Sequence, residues 1–154
     1  MIKLVRVDYR LLHGQVVFAW TNFVGADCIL IACDEVAQNE NRKSALRLAK
    51  PASCKLVFKS VAQAVQAINS GVTDKYKLLI LVETIGDARK LCEGCPSIRT
   101  VNLGLSKQRE GTREIGKAVY ATPQEEEDLK ALSQSGVVLE IKQAPNDKGE
   151  KLGD

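Results

Sequence analysis

Two uninterrupted apolar runs, Cys28–Cys33 and Leu78–Val82, constrain this chain more than any other feature of its sequence. Each is too short for a core helix and rich in Ile, Leu and Val, so each reads as a buried strand. Segments of helical spacing and further strand patterns surround them. Ile2–Asp8 sets Ile2, Leu4, Val5 and Val7 against Lys3, Arg6 and Asp8, the pattern of a first strand. Between Gly14 and Gly25, Val16, Val17, Trp20, Phe23 and Val24 recur as on an amphipathic helix. Asn39–Lys50 is predicted to be a helix closed by Pro51, and Lys55–Lys59 a strand. Val61, Val65 and Ile68 mark a helix ending at Gly71, and Ile85, Ala88 and Leu91 a short one after Val82. Ile98–Leu105 is a further strand, and Lys117–Ala121 is expected to pair back on it as a hairpin. Thr122-Pro123-Gln124-Glu125 combines a capping box with Pro at the first helical position, opening a helix that stops at Gly136. Val137–Ile141 is the last predicted strand.

Strands that alternate with crossovers of a dozen or more residues build a mostly parallel sheet covered on both faces. The expected architecture is therefore three-layer α/β/α, with a mostly parallel central sheet and a late antiparallel hairpin. At 154 residues the chain matches the usual ~150 residues of one domain, here expected over 1–145, with 146–154 a loose polar tail. Neither apolar run approaches the ~20 residues that span a bilayer. Lys3, Arg6, Asp8 and Arg10 break up any apolar export signal, so a cytoplasmic protein is expected. In such sheets ligands gather beyond the carboxyl ends of the strands. That rule directs attention to the loops after Asp8, Asp34, Lys59, Glu83 and Leu105.

The net charge of +3 is too small to argue for nucleic acid, and one Trp, three Tyr and three Phe make a poor base-stacking platform. The charge is unevenly spread. Residues 1–60 hold 9 basic and 5 acidic side chains, whereas residues 121–154 hold 4 and 8, which suits an anionic ligand or acidic partner near the N-terminal part. Five cysteines are an odd count, and with no export signal expected, a disulfide framework is not expected either. Cys92 and Cys95 make one C-x-x-C, but Gly94 and Pro96 mark a helix end, whereas a reactive pair belongs at a helix start. No second ligand pair accompanies them, so no bound metal is expected.

The single histidine, His13, falls between the first strand and the first helix, in Arg6-Val7-Asp8-Tyr9-Arg10-Leu11-Leu12-His13-Gly14-Gln15-Val16. A neutral imidazole is a good nucleophile near physiological pH, and nearby positive charge favours the neutral ring. Arg10 offers a forked donor to phosphate oxygens, and the following helix offers backbone N–H groups at its positive end. Gly14 permits close backbone approach, Gln15 adds a neutral donor, and Asp8 is placed to orient the ring. The same residues also read as a solvated strand edge and a surface turn; both readings stand on the residues alone. Asp34 and Glu35 fit a solvated helix start better than an acid/base pair. Thr84 and Asp87 fit a helix cap, and Glu125–Asp128 an acidic first turn that suits the helix dipole.

The His13 segment resembles the phosphorylation site of the IIB subunits of the mannose/fructose/sorbose family of the phosphoenolpyruvate-dependent sugar phosphotransferase system. Trp20, Asp34-Glu35-Val36-Ala37, Val101-Asn102-Leu103-Gly104 and Arg109-Glu110-Gly111 extend the resemblance in order from Ile2 to about Lys142. Leu105 replaces a second glycine frequent in that family, and Gly86 stands where relatives often have proline. The resemblance implies that His13 accepts a phosphoryl group from a IIA domain and passes it to a sugar held by the membrane IIC and IID permease subunits. It implies a phosphate cradle of Arg10, Gly14 and Gln15, support from Asp8 and Arg6, no cofactor, and a cytoplasmic location peripheral to the permease. A homo-oligomer is compatible with it. The alternatives are a non-catalytic module that binds an anion or phosphometabolite and regulates a partner, and a hydrolase with His13 as general base. Docking at this site is expected to rest on charge, the alternative being apolar contact around Leu11, Leu12 and the first helix.

Overall fold

In the computed structural model, which describes residues 1–152, the two apolar runs are adjacent central strands of a parallel sheet. In chain order the elements are β1 (Ile2–Asp8), α1 (Gly14–Val24), β2 (Cys28–Ala32), α2 (Asp34–Ala37), α3 (Glu40–Leu48), β3 (Lys55–Lys59), α4 (Val61–Ser70) and β4 (Leu78–Val82). They continue with α5 (Ile85–Gly94), β5 (Thr100–Leu105), β6 (Arg113–Gly116), β7 (Val119–Ala121), α6 (Pro123–Gln134), β8 (Val138–Ile141) and β9 (Glu150–Lys151). Seven strands form one sheet in the order β3-β2-β4-β1-β5-β8-β9, parallel except for β9.

The period of two along each strand splits the core into two layers. Leu30, Ile80, Val82, Val5 and Val7 pack with Ala64, Ala88, Leu91, Leu129 and Leu132 of α4, α5 and α6. Ile29, Ile31, Leu79 and Leu81 turn the other way, onto Leu11, Val17, Val36 and Leu46 beside α1, α2 and α3. Every side chain of β4 is at most 1% exposed. Each such aliphatic burial contributes about 1.5–3 kcal/mol, so these strands hold the sheet's centre. The three-layer α/β/α architecture with a mostly parallel sheet is the one the sequence pattern predicts.

Three local features differ from that pattern. Residues 119–121 do not return to β5, because β5 already lies between β1 and β8 and has no free edge. They pair instead with β6 in a separate antiparallel ribbon. Ser106 fastens this ribbon to the end of β5: its Oγ accepts from Tyr120 N at 2.7 Å, and its own N–H reaches Ala118 O at 3.1 Å. Residues 34–37, read only as a helix start, form a turn of their own before Asn39 caps α3 by accepting from Arg42 N. The tail expected to be loose places Glu150 and Lys151 against Ile141 and Glu140 as an antiparallel edge strand. Residues 153 and 154 of that tail lie outside the described residues.

Candidate functional site

β1 runs down the middle of the sheet between β4 and β5, so its carboxyl end opens the central loop. Asp8, the last residue of β1, is 1% exposed. One oxygen, Oδ1, accepts from the Arg10 backbone N–H at 2.9 Å and from Arg10 Nε at 3.4 Å. The first bond makes a local side-chain turn that bends the chain as it leaves the strand. Leu11 N–H closes the bend on Asp8 O at 2.9 Å. Leu11 holds φ +60°, a region that costs a branched side chain roughly 1 kcal/mol or more. Its complete burial, with Leu12 only 4% exposed, offsets that cost. Both leucines face the core, so they cannot provide the apolar docking contact considered as an alternative.

His13 is the next residue, exposed, and stands at the N-cap of α1 with extended backbone (φ −138°) and no capping hydrogen bond from its side chain. The first turn of α1 contains no acidic residue. The His13 side chain does not cap the helix, so the first-turn N–H groups stand at its positive end next to His13 in the chain. Gly14 adopts φ +46°, and a Cβ there would meet nothing within 4 Å, so the constraint is the backbone turn rather than crowding. Gln15 is exposed beside it. Arg10, with its side chain 27% exposed, lies at the rim, held from beneath by Asp8. The loop thus combines an exposed imidazole, an anchored guanidinium and an open helix N-terminus.

Arg6 is the surprise of the site. It points into the α1 side of the sheet and is 1% exposed. Nη1 donates to Asn102 Oδ1 at 2.5 Å and to Lys142 O at 3.0 Å, while Nη2 sits 3.6 Å from Asp8 Oδ2 without a hydrogen-bond partner among the described residues. The Trp20 ring covers the guanidinium at 5.4 Å, and the indole N–H reaches Gln143 O at 2.9 Å. Burial pushes the Arg6 pKa down to about 10, opposed by the charge of Asp8. Asp8 is therefore shared between two arginines, one above and one below, and does not orient the His13 ring as expected. Asn102 and Gln143 were not singled out by chemical reasoning. A lone Asn between Val101 and Leu103 in an apolar strand was the available signal, since a buried amide requires a partner.

The other candidate residues serve the scaffold. Asp34 Oδ1 accepts from Val61 N at 2.8 Å, at the start of α4. Glu35 pairs with Arg42 and Asn39, and hydrogen bonding to Arg42 holds its carboxyl below the usual range. Arg42 also reaches Glu83 at 2.6 Å, tying the ends of β2 and β4 together. Thr84 caps α5 by accepting from Asp87 N at 3.0 Å, and burial raises the Asp87 carboxyl pKa. Arg109 turns away toward Glu125 of α6, and Arg113 toward Glu126. Cys92 lies in the last turn of α5 and Cys95 just after it; both are buried. Burial and the neighbouring Cys95 push the Cys92 thiol up to about 11, the opposite of a reactive thiol.

Comparison with known proteins agrees with this geometry. The family profile described as "PTS system sorbose subfamily IIB component" matches residues 2–154. The chain is 34% identical over 149 residues to the PTS system fructose-specific EIIB component of Bacillus subtilis, covering 97% of this chain and 91% of that protein. It is 30% identical to the PTS system mannose-specific EIIAB component of Escherichia coli, covering 100% of this chain and 48% of that longer protein. Among solved structures, the IIBSor domain of the sorbose permease from Klebsiella pneumoniae superposes with a TM-score of 0.92 at 29% identity, over 97% of this chain and 92% of that one. A match over nearly the whole chain, on a fold whose central loop carries the histidine, shows that this protein belongs to the sorbose subfamily of phosphotransferase-system IIB components.

Proposed function

We propose that His13 is a phosphoryl carrier that accepts its group from a IIA domain and delivers it to a sugar bound by the IIC and IID permease subunits. The observation that carries this reading is the exposed, uncapped His13 at the start of α1, with the Asp8-anchored Arg10 in the same loop. In the first step a ring nitrogen of His13 attacks phosphorus and the P–N bond of the donor phosphohistidine breaks. In the second, a sugar hydroxyl attacks, its P–O bond forms as the His13 P–N bond breaks, and the hydroxyl proton is released. Arg10, the α1 N–H groups around Gly14, and Gln15 contact the oxygens that carry negative charge through both steps. Such a reaction is mainly a matter of position and charge, which a fixed loop on a rigid strand supplies.

The name of the mannose-specific EIIAB relative, which joins A and B units in one chain, supports a IIA donor. No described helix is long and apolar enough to cross a membrane, which fits a component that works at the cytoplasmic face of a permease. The test is incubation with phosphoenolpyruvate, the general transfer proteins and a phosphorylated IIA domain. Acid-labile label on the wild-type chain, absent from a folded His13→Ala variant, is the expected result. Reversible phosphate binding without covalent label would instead favour a regulatory anion-binding module, and equal labelling of His13→Ala would refute the carrier role.

A further inference from the structure

The buried polar chain behind the histidine loop has no place in the chemistry of transfer, yet it is assembled from four separate segments. Arg6 comes from β1, Asn102 and Gly104 from β5, Trp20 from α1, and Gln143 with Lys142 from the end of β8. Asn102 Oδ1 accepts from Arg6 Nη1, while its Nδ2 donates to Lys142 O at 3.1 Å, so the amide is engaged at both ends. Gln143 Nε2 donates to Gly104 O at 3.0 Å and to Lys117 O at 2.8 Å. A Cβ at Gly104 would fall 2.2 Å from Arg6 Cζ, so the guanidinium occupies the space a side chain would need there. Arg6 in turn faces Asp8 Oδ2, and Asp8 Oδ1 holds Arg10.

We infer that Asn102 and Gly104 are positioning residues for phosphoryl transfer: they seat Arg6, which fixes the Asp8 carboxylate, which sets the Arg10 guanidinium beside His13. The inference rests on the carrier reading above and assigns how its cradle is aimed. A buried guanidinium with one free nitrogen beside a carboxylate has few alternative positions. Its Nη1 takes two acceptors on the β5–β8 side, so the remaining edge can only face Asp8. A rotation of Asp8 would move Arg10 directly, since backbone and side chain of Arg10 hang on the same oxygen. Displacement of about 1 Å at a transfer site costs up to about a hundredfold in rate.

The experiment is a double-mutant cycle on transfer from phosphorylated IIA. Asn102→Ala and Gly104→Ala should each lower kcat by about tenfold or more with KM for the donor unchanged. In an Arg10→Ala background the same substitutions should change kcat by less than about twofold, because the guanidinium they aim has already been lost. Multiplicative effects in the two backgrounds, or losses confined to KM, would overturn the inference. A measurement on the unmutated protein guards against variants that do not fold. Phosphorylation of His13 should shift the NMR signals of the Arg6 guanidinium and the Asn102 side-chain amide, and unmoved signals would overturn it equally. If the wild-type chain takes no covalent phosphoryl group at all, the carrier reading falls, and the positioning inference with it. If the wild type is labelled but the cycle is additive, only the positioning inference falls.

Discussion

Replacing Asp8 by Asn removes the charge that balances buried Arg6 and that also pairs with the more exposed Arg10. The amide keeps an oxygen to accept from the Arg10 backbone N–H, and it occupies nearly the same volume. What it removes is the counter-charge 3.6 Å from Arg6 Nη2, where the two side chains are only 1% and 2% exposed. Breaking a buried pair from one side costs about 3–5 kcal/mol, because the remaining ion is left in a medium that solvates it poorly. Arg6 keeps its two neutral acceptors, Asn102 Oδ1 and Lys142 O, which puts the loss at the low end, about 3 kcal/mol. A chain of 154 residues unfolds with an entropy of about 0.3 kcal/mol per kelvin, so Tm should fall by about 9 °C. Thermal denaturation followed by circular dichroism measures this directly. The deciding comparison is with Arg6→Met and with the Arg6→Met, Asp8→Asn double variant. If charge balance is the cause, the double variant loses no more than Arg6→Met alone, which already gives up the bonds to Asn102 and Lys142. Losses that add in the double variant would refute the account and assign the cost to packing.

Arg10→Lys keeps the charge but loses the fork, so transfer to His13 should slow by about tenfold while Tm changes little; unchanged quench-flow rates would remove Arg10 from the cradle. Transfer from IIA should slow as salt rises from low ionic strength, chiefly through the association step, because the basic excess lies in the part of the chain that carries His13. A flat profile in stopped-flow measurements would remove the electrostatic contribution to docking. Burial raises the Cys92 thiol from 9.0 to about 11. Its contribution is therefore complete below pH 9 and is lost between pH 9 and about 11, where the unfolded chain has already released the proton. A Cys92→Ala variant should therefore show a shallower alkaline decline in urea-unfolding stability. Equal alkaline slopes in the two proteins would refute it.

The strands and long helices were legible because each is written in a local period. Leu78–Val82 and Cys28–Ala32 are apolar throughout, and the Thr122–Glu125 capping box forms at the start of α6. His13 was legible as a candidate because it is the one imidazole and falls at a strand end. Its supports were not. Arg6 finds Asn102 and Lys142 across separations of 96 and 136 residues, and nothing near Arg6 in the chain announces those partners. Asp8 was assigned to the ring because the two are close in sequence, whereas the turn places Arg10 closer still. Leu11 and Leu12 looked available for docking because they lie in a loop, but a left-handed residue turns the pair into the core. The late hairpin was paired with the wrong strand because local pattern shows that a segment is extended and is silent about which edges remain free.

The two margins of the seven-stranded sheet are treated differently from its interior. β3 is bracketed by Lys55 and Lys59, charges that oppose addition of a further strand from another molecule. β8 begins and ends on apolar residues, Val138 and Ile141, and Val138 is 45% exposed. The two-residue β9 occupies that border instead, spending a brief antiparallel pairing on the backbone groups of Glu140 and Ile141. What looks like dispensable tail thus covers a border of the sheet. A chain shortened to residue 145 would keep the histidine loop and every residue that seats it, yet would leave Val138–Ile141 as an open template for sheet extension between molecules.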